Sequence, residues 1–289
     1  VRTQLTSAGL YEALTLSFVS DAQRKQFCPS GEAATVAVSH SSRSHENQLR
    51  QSLIPSLLQC RRQNERHGSM NAELFEIARV YLSAGEGKCE ADAEPLSVGL
   101  VTGRSFAQIL GLVESVVHRL APAATLTTQP CDRPEFLAGR GAEVRLNGKL
   151  LGWIGELSRE LLDASDLQDA VCVAELRLPL LESLYQSHRS YTPLPRFPSI
   201  SRDLNFVLPE SVSWAELASV VSQSAGTLLA GTSFSGQYRG KQIEADRKSY
   251  VITCRFMAPD RTLTTDEVDA AVQKIIASCQ QKLSATLRA

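Results

Sequence analysis

The chain has 289 residues, which at about one domain per 150 residues suggests two domains. With 43% hydrophobic and 21% charged residues it can bury ordinary cores, which excludes a disordered chain. Its formal net charge of -1 excludes a generally basic nucleic-acid coat and leaves room only for a local patch.

Residues 12–19 (EALTLSFV) alternate through Leu14, Leu16 and Phe18, which predicts a strand with that set buried. Residues 46–66 are helix-rich, and Pro55, which lacks an N–H, is expected in the first turn of a helix starting there. Residues 72–82 (AELFEIARVYL) and 95–102 read as strands. Over 105–121 the apolar residues Phe106, Ile109, Leu110, Val113, Val116, Val117 and Leu120 form one helical stripe, with Ser105 and Gln108 as a capping box. Within 142–156, Asn147-Gly148 between two strand-like runs signals a hairpin. A short helix from Ser158 and a strand near 170–177 complete an α+β pattern with a mainly antiparallel sheet.

From Arg189 the chain runs RSYTPLPRFPSISRD. Pro193, Pro195 and Pro198 make 189–198 a stiff connector between residues 1–188 and 199–289, and the basic excess lies on its C-terminal side. Beyond it Leu204, Phe206 and Leu208 alternate in a strand, and Ser213 with Glu216 caps a helix carrying Leu217, Val220 and Val221. Residues 231–240 and 249–257 are strands, the latter alternating through Tyr250, Ile252, Cys254 and Phe256. Thr264 and Glu267 cap a long helix, and residues 285–288 suit a final short strand. The order β-α-β-β-α-β is the split βαβ, or ferredoxin-like, arrangement.

No apolar run approaches the ~18 residues that cross a bilayer. The opening VRTQLTSAGL does not read as a signal peptide but as if cut from something longer. Cys28, Cys60, Cys89, Cys131, Cys172, Cys254 and Cys279 form an odd set without a CxxC pair, so free thiols in a reducing cytoplasm are expected. His40 and His45 lack a convergent third ligand, and no metal site is expected. There is no Gly-x-Ser-x-Gly elbow and no GxxxxGK[ST] phosphate loop. Arg61, Arg62 and Arg66 read as a solvated helix face. In the C-terminal part Arg196, Arg202, Arg239, Lys241, Arg247, Lys248, Arg261 and Arg288 fall at strand ends and loops, where they suit either phosphate contacts or ordinary surface charge.

YTPLPRFPSISRDLNFVL, YRG, KSYVITCRF, RTLTTDEV and ATLR closely resemble the ferredoxin-like anticodon-binding domain that ends bacterial phenylalanyl-tRNA synthetase beta subunits. GLYEALTLSFVS, LRQSLIPSLLQCRRQNER, LFEIARVYL and GWIGEL resemble the same family's catalytic-like domain, which has the class II synthetase fold. The family's Pro-Gly-Leu-Leu is here Pro55-Ser56-Leu57-Leu58, its Glu-Ile-Gly-Arg is Glu76-Ile77-Ala78-Arg79, and its Phe-Asp before YRG is Phe234-Ser235.

The resemblance implies a cytoplasmic C-terminal portion of the beta subunit, without catalytic or metal residues of its own. The ATP- and Mg2+-dependent charging of tRNA(Phe) would belong to the alpha subunit within a heterotetramer of two alpha–beta pairs. The residues agree with lost chemistry. Arg145, in the nearest equivalent of the adenine-binding element, precedes the Asn147-Gly148 hairpin instead of opening a helix, and Glu76 and Arg79 have opposite strand parity. The helix after Pro55 and helix 105–121 are the first candidates for the alpha contact. The eight basic residues of the C-terminal part would meet phosphates. Phe197, Phe234 or Tyr238 would stack on an unpaired base, although Phe234 and Tyr238 read equally well as core. Rival readings are a stand-alone class II ATP-dependent enzyme and a protein-only assembly scaffold.

Overall fold

In the computed structural model residues 1–27, 35–38, 45–82, 93–187, 191, 193–240 and 242–288 are described, and the chain divides into two units, Val1–Arg189 and Ser190–Ala289. Cys28, Cys89, His40 and Lys241 lie outside the described residues.

In chain order the first unit contains α1 (Arg2–Ser7), β1 (Tyr11–Glu12), β2 (Phe18–Val19), α2 (Asp21–Gln26), β3 (Gln48–Leu49), α3 (Ile54–Arg66), β4 (Leu74–Arg79) and β5 (Leu96–Thr102). There follow α4 (Phe106–Leu120), β6 (Leu126–Pro130), β7 (Phe136–Leu146), β8 (Lys149–Leu157), α5 (Arg159–Ala164), β9 (Cys172–Arg177) and α6 (Leu178–Ser183). Seven strands form one sheet in the order β1-β4-β5-β9-β8-β7-β6. Only the β1/β4 edge is parallel; the remaining pairs are antiparallel.

Strand parity gives this sheet two apolar faces. Val98, Leu100, Val144, Ile154 and Ala174 pack with Ile109, Val113, Val116 and Val117 of α4 and Leu181 of α6. The alternate residues Val101, Trp153 and Val173 pack with Leu57 and Leu58 of α3 and Leu161 and Leu162 of α5. Gly99 lets α3 lie against the sheet, because a Cβ there would come within 2.9 Å of the Leu53 Cβ and 3.0 Å of the Leu57 Cδ1. The hairpin at Asn147-Gly148 has positive φ at both residues, 50° and 79°, as the tight turn between β7 and β8 requires. Pro55 occupies the first turn of α3, where no partner N–H is missed.

The strand expected over 12–19 is not one strand. Ala13 donates its N–H to the Phe75 carbonyl (2.8 Å), ending a two-residue pairing with β4. The Thr15 N–H (3.1 Å) and Oγ1 (2.6 Å) then donate to Glu76, turning the chain away. It next pairs at Phe18–Val19 with β3. The alternating set therefore faces outward, with Leu14 87% and Leu16 58% exposed.

The second unit runs β10 (Ile200–Pro209), α7 (Trp214–Ala225), a 3-10 turn (Gly226–Leu228), β11 (Leu229–Tyr238), β12 (Arg247–Phe256), α8 (Thr265–Leu283) and β13 (Thr286–Leu287). Its sheet, in the order β11-β12-β10-β13, is antiparallel throughout. This is the ferredoxin-like βαββαβ arrangement. Each helix opens on a reciprocal cap. The Ser213 N–H donates to Glu216 (2.7 Å) while the Glu216 N–H donates to Ser213 Oγ (3.2 Å), and Thr264 and Glu267 repeat the exchange at 2.9 and 3.3 Å. Both helices cover one face, where Leu204, Phe206, Ile252, Cys254 and Phe256 meet Leu217, Val221, Val268, Val272 and Ile275.

Candidate nucleic-acid interface

Because β10 and β12 bury their even-numbered residues under the two helices, their odd-numbered residues form the opposite face, which no described helix of the unit covers. It carries Asp203, Asn205 and Val207 from β10 and Ser249, Val251, Thr253 and Arg255 from β12. The β11 register adds Gly231, Ser233 and Tyr238. A β-bulge between Phe234 and Gly236 leaves Ser235 unpaired in the ladder, and its hydroxyl lies 2.9 Å from Thr253 Oγ1. Thr253 donates in turn to Asp203 Oδ1 (2.6 Å), so hydroxyls from two strands order a carboxylate on the third. The Ser249 hydroxyl donates to Asn205 Oδ1. Tyr238 is 47% exposed at the rim of this face.

Phe234 belongs to the helix side instead. Its ring is 5.4 Å from Trp214 and 5.5 Å from Tyr250, both edge-on, so this half-exposed side chain closes the core's margin rather than offering a free stacking face. Phe197 is half-buried ahead of β10, and Arg196 is exposed beside it.

The predicted cations do not gather on one face. Arg202 is on the helix side and pairs with Asp269 of α8 (3.2 Å). Lys248 is buried; its Nζ donates to the Glu210 carbonyl (2.7 Å) and lies 5.0 Å from the Tyr250 ring, so it cannot serve an outside phosphate as placed. Arg239 is paired with Glu210, which holds that carboxyl below its usual range. Arg247 spans to the carbonyls of Val207 (3.0 Å) and Ser284 (2.7 Å). Arg261 pairs with Glu267 (2.5 Å), and Arg288 donates to Gln242 (2.6 Å). Arg255 was not singled out in the sequence. It is exposed on the open face and forms no hydrogen bond or ion pair. The alternation that buried Tyr250, Ile252, Cys254 and Phe256 already carried this signal, since it sends Arg255 the other way.

Charged groups in the first unit are mostly structural. Arg61 is not on a solvated face. It is 1% exposed, and its guanidinium binds Glu65 (2.8 Å) and the Ala72 carbonyl (3.1 Å), tying α3 to the chain entering β4. Arg62 and Arg66 share Asp166 at 3.0 and 2.7 Å. Arg50 and Glu76 form a buried pair (3.1 Å), with Arg50 also donating to Thr15 Oγ1 (2.7 Å) and the Arg79 carbonyl (3.1 Å). Glu175 is buried and accepts from the Leu53 N–H and Ser52 Oγ, both at 2.7 Å; burial pushes its carboxyl up to about 7. Arg145 lies on β7, bound to Glu143 (2.7 Å) and the Gly148 carbonyl (3.0 Å). The Arg133 and Arg177 guanidiniums stand 5.1 and 5.8 Å from the Trp153 ring. A groove of about 770 Å³ lined by Arg24, Lys25, Arg133 and Glu135 has ion-paired walls, with Arg24 and Lys25 on Asp21 and Arg133 on Glu135. The apolar stripes of α3 and α4 are spent on their own sheet, so they offer no free apolar face to a partner. Exposed apolar surface lies instead at Leu14, Leu16 and Phe18, beside a groove of about 310 Å³. Burial also raises Cys172, Cys254 and Cys279 to about 11, and the five described cysteines are free thiols. Among the described residues no helix is long and apolar enough to cross a membrane.

Residues 1–178 match the family described as the phenylalanyl tRNA synthetase beta chain CLM domain, and residues 195–288 match the ferredoxin-fold anticodon binding domain. The chain is 34% identical over 296 residues to the phenylalanine–tRNA ligase beta subunit of Rhodopirellula baltica, covering 99% of this chain and 44% of that protein. It is 32% identical over 302 residues to the beta subunit of Geobacillus kaustophilus, covering 100% of this chain and 37% of that one. It thus spans less than half the length of these relatives. A crystal structure of pyrrolysyl-tRNA synthetase from Desulfitobacterium hafniense shares the fold, with a TM-score of 0.50 and 16% identity over 63% of this chain and 65% of that one. The fold is that of a two-unit chain joining a body with an aminoacyl-tRNA synthetase fold to a unit that matches the ferredoxin-fold anticodon binding domain. The chain belongs to the phenylalanyl-tRNA synthetase beta chain family.

Proposed function

We propose that this chain is the C-terminal portion of a phenylalanine–tRNA ligase beta subunit whose second unit holds the anticodon region of tRNA(Phe). The first unit is a non-catalytic body docking the alpha subunit, within a heterotetramer that charges tRNA using ATP and Mg2+ at the alpha active site. The observation that carries the RNA-binding part is the uncovered sheet face of the second unit. It is polar, ordered by the Ser235–Thr253–Asp203 chain, and has Tyr238 exposed at its rim. Single-stranded RNA loops present splayed bases that stack on such an aromatic, while the polar side chains meet base edges.

Two further observations support the assignment of the first unit. Arg145 and the buried Arg50 and Arg61 are held by protein acids and carbonyls, leaving none of the three free to hold a nucleotide phosphate. The outward Leu14, Leu16 and Phe18 form the kind of contiguous apolar patch that marks a protein partner.

The chain alone is expected to show no phenylalanine-dependent ATP–pyrophosphate exchange and to bind a tRNA(Phe) transcript with affinity that falls as salt rises. Exchange above background would restore the stand-alone enzyme. Strong capture of the alpha subunit with no tRNA binding would favour the protein-only scaffold.

A further inference from the structure

We propose that Arg255 is the phosphate anchor of the open sheet face, a role that rests on the RNA-binding reading above. Phosphate recognition needs a cation that is accessible and not already neutralised. Arg247 and Arg288, which the register also places along this face, are engaged, Arg247 with the carbonyls of Val207 and Ser284 and Arg288 with Gln242. Arg255 is exposed and bonded to nothing.

The surroundings of Arg255 keep it so. Its ladder partners are Ser201 and Gly231, and neither supplies an acid. Gly231 has no side chain to cover it; a Cβ there would meet the guanidinium at 3.9 Å, an ordinary contact distance. Asp203, the nearest carboxylate on this face by register, is already bonded to Thr253 and forms no pair with Arg255.

Position adds a geometric consequence. Arg255 is six residues along β12 from Ser249, the partner of Tyr238. At ~3.4 Å per residue the anchor and the aromatic are about 20 Å apart. A strand of several nucleotides lying across the sheet would therefore reach both, stacking a base at Tyr238 and placing a backbone phosphate at Arg255. A mononucleotide would not.

The test is a salt titration of the full 289-residue chain binding an anticodon stem-loop RNA. With single-stranded contacts each phosphate adds about 0.7 to the slope of log K against log salt. Arg255→Gln should lower that slope by about 0.7, so between 50 and 200 mM salt the wild type loses about 2.6-fold more affinity than the variant. At low salt the variant should bind about fivefold more weakly, and Arg255→Lys should retain most of the slope. Arg202→Gln and Arg261→Gln remove cations already paired with Asp269 and Glu267 and should leave the slope unchanged. Wild-type binding with an unaltered slope in Arg255→Gln, or an equal change in the paired controls, would overturn the anchor while leaving RNA binding intact. No binding by the wild type at any salt would remove both the anchor and the reading beneath it.

Discussion

The two sheets differ in what covers them. In the first unit helices lie on both faces, so residues of either parity along β5, β8 and β9 are buried, and charges caught between the layers have to be answered there. Arg50, Arg61, Glu76 and Glu175 are all buried and all engaged. In the second unit both helices lie on one face, and the other keeps small polar side chains, a rim tyrosine and a free arginine. The difference separates two meanings of a charged or polar residue. Between two layers it holds the fold together, and on a bare face one without an internal partner, such as Arg255, is available to something outside.

Glycines expose the same contrast and give the largest expected effect. A Cβ at Gly152 would strike the Glu175 carbonyl oxygen and stand 2.9 Å from the Leu176 Cα, backbone of the neighbouring strand that cannot swing aside. At Gly236 nothing lies within 4 Å. Gly152→Ala should destabilise the first unit by about 3 kcal/mol or more, whereas Gly236→Ala should stay within about 0.5 kcal/mol. The two tryptophans divide between the units, so denaturation followed by Trp153 fluorescence in a Trp214→Phe background reads the first unit alone. Equal effects at the two glycines would break the comparison.

Glu175 sharpens it through pH. Its carboxyl lies near 7 in the fold because burial disfavours the charge, against an ordinary value of 4.5. Between those values the folded state holds the proton more tightly than the unfolded state, so this group's contribution to stability falls as pH rises through the window and is flat above it. Glu175→Gln keeps an acceptor for the Leu53 N–H and can donate to Ser52 Oγ, but it has no charge to bury. The variant should match the wild type near pH 4.5 and exceed it by on the order of 2–3 kcal/mol at pH 8. A stability difference independent of pH across that range would show that Glu175 is not held as the packing implies.

The sequence made the second unit legible because its local signals agree. Reciprocal caps start both helices, and β10 and β12 from Tyr250 onward alternate against a single covered face, so there period two maps directly onto inside and outside. The same rule failed over 12–19, where the apolar set of Leu14, Leu16 and Phe18 is real but points outward. Alternation tells which residues share a face, not whether that face meets a core or solvent. Arg61 departs from the solvated-face expectation for a related reason. Its neighbours Arg62 and Arg66 are on the open side of α3, and nothing in the local sequence shows that the Ala72 carbonyl closes over the third arginine. The candidate cations of the second unit were visible as residues, but their partners come from elements up to 67 positions away, as with Asp269 for Arg202. Spacing along the chain does not reveal such pairings.

The smallest effect bears on the bare face alone. Tyr238 is half-exposed at the rim, opposite Ser249, and little of the core depends on its ring. Tyr238→Leu should therefore leave both unfolding transitions in place while weakening anticodon stem-loop binding by about 1–2 kcal/mol, the range of one lost base stack. Tyr238→Phe preserves the π-face and should bind nearly as well as the wild type. Because stacking carries little charge, the slope against salt should not move in Tyr238→Leu, in contrast with Arg255→Gln. A stability loss comparable to the affinity loss would make Tyr238 a core residue, and the second sheet would then resemble the first more closely than its uncovered face suggests.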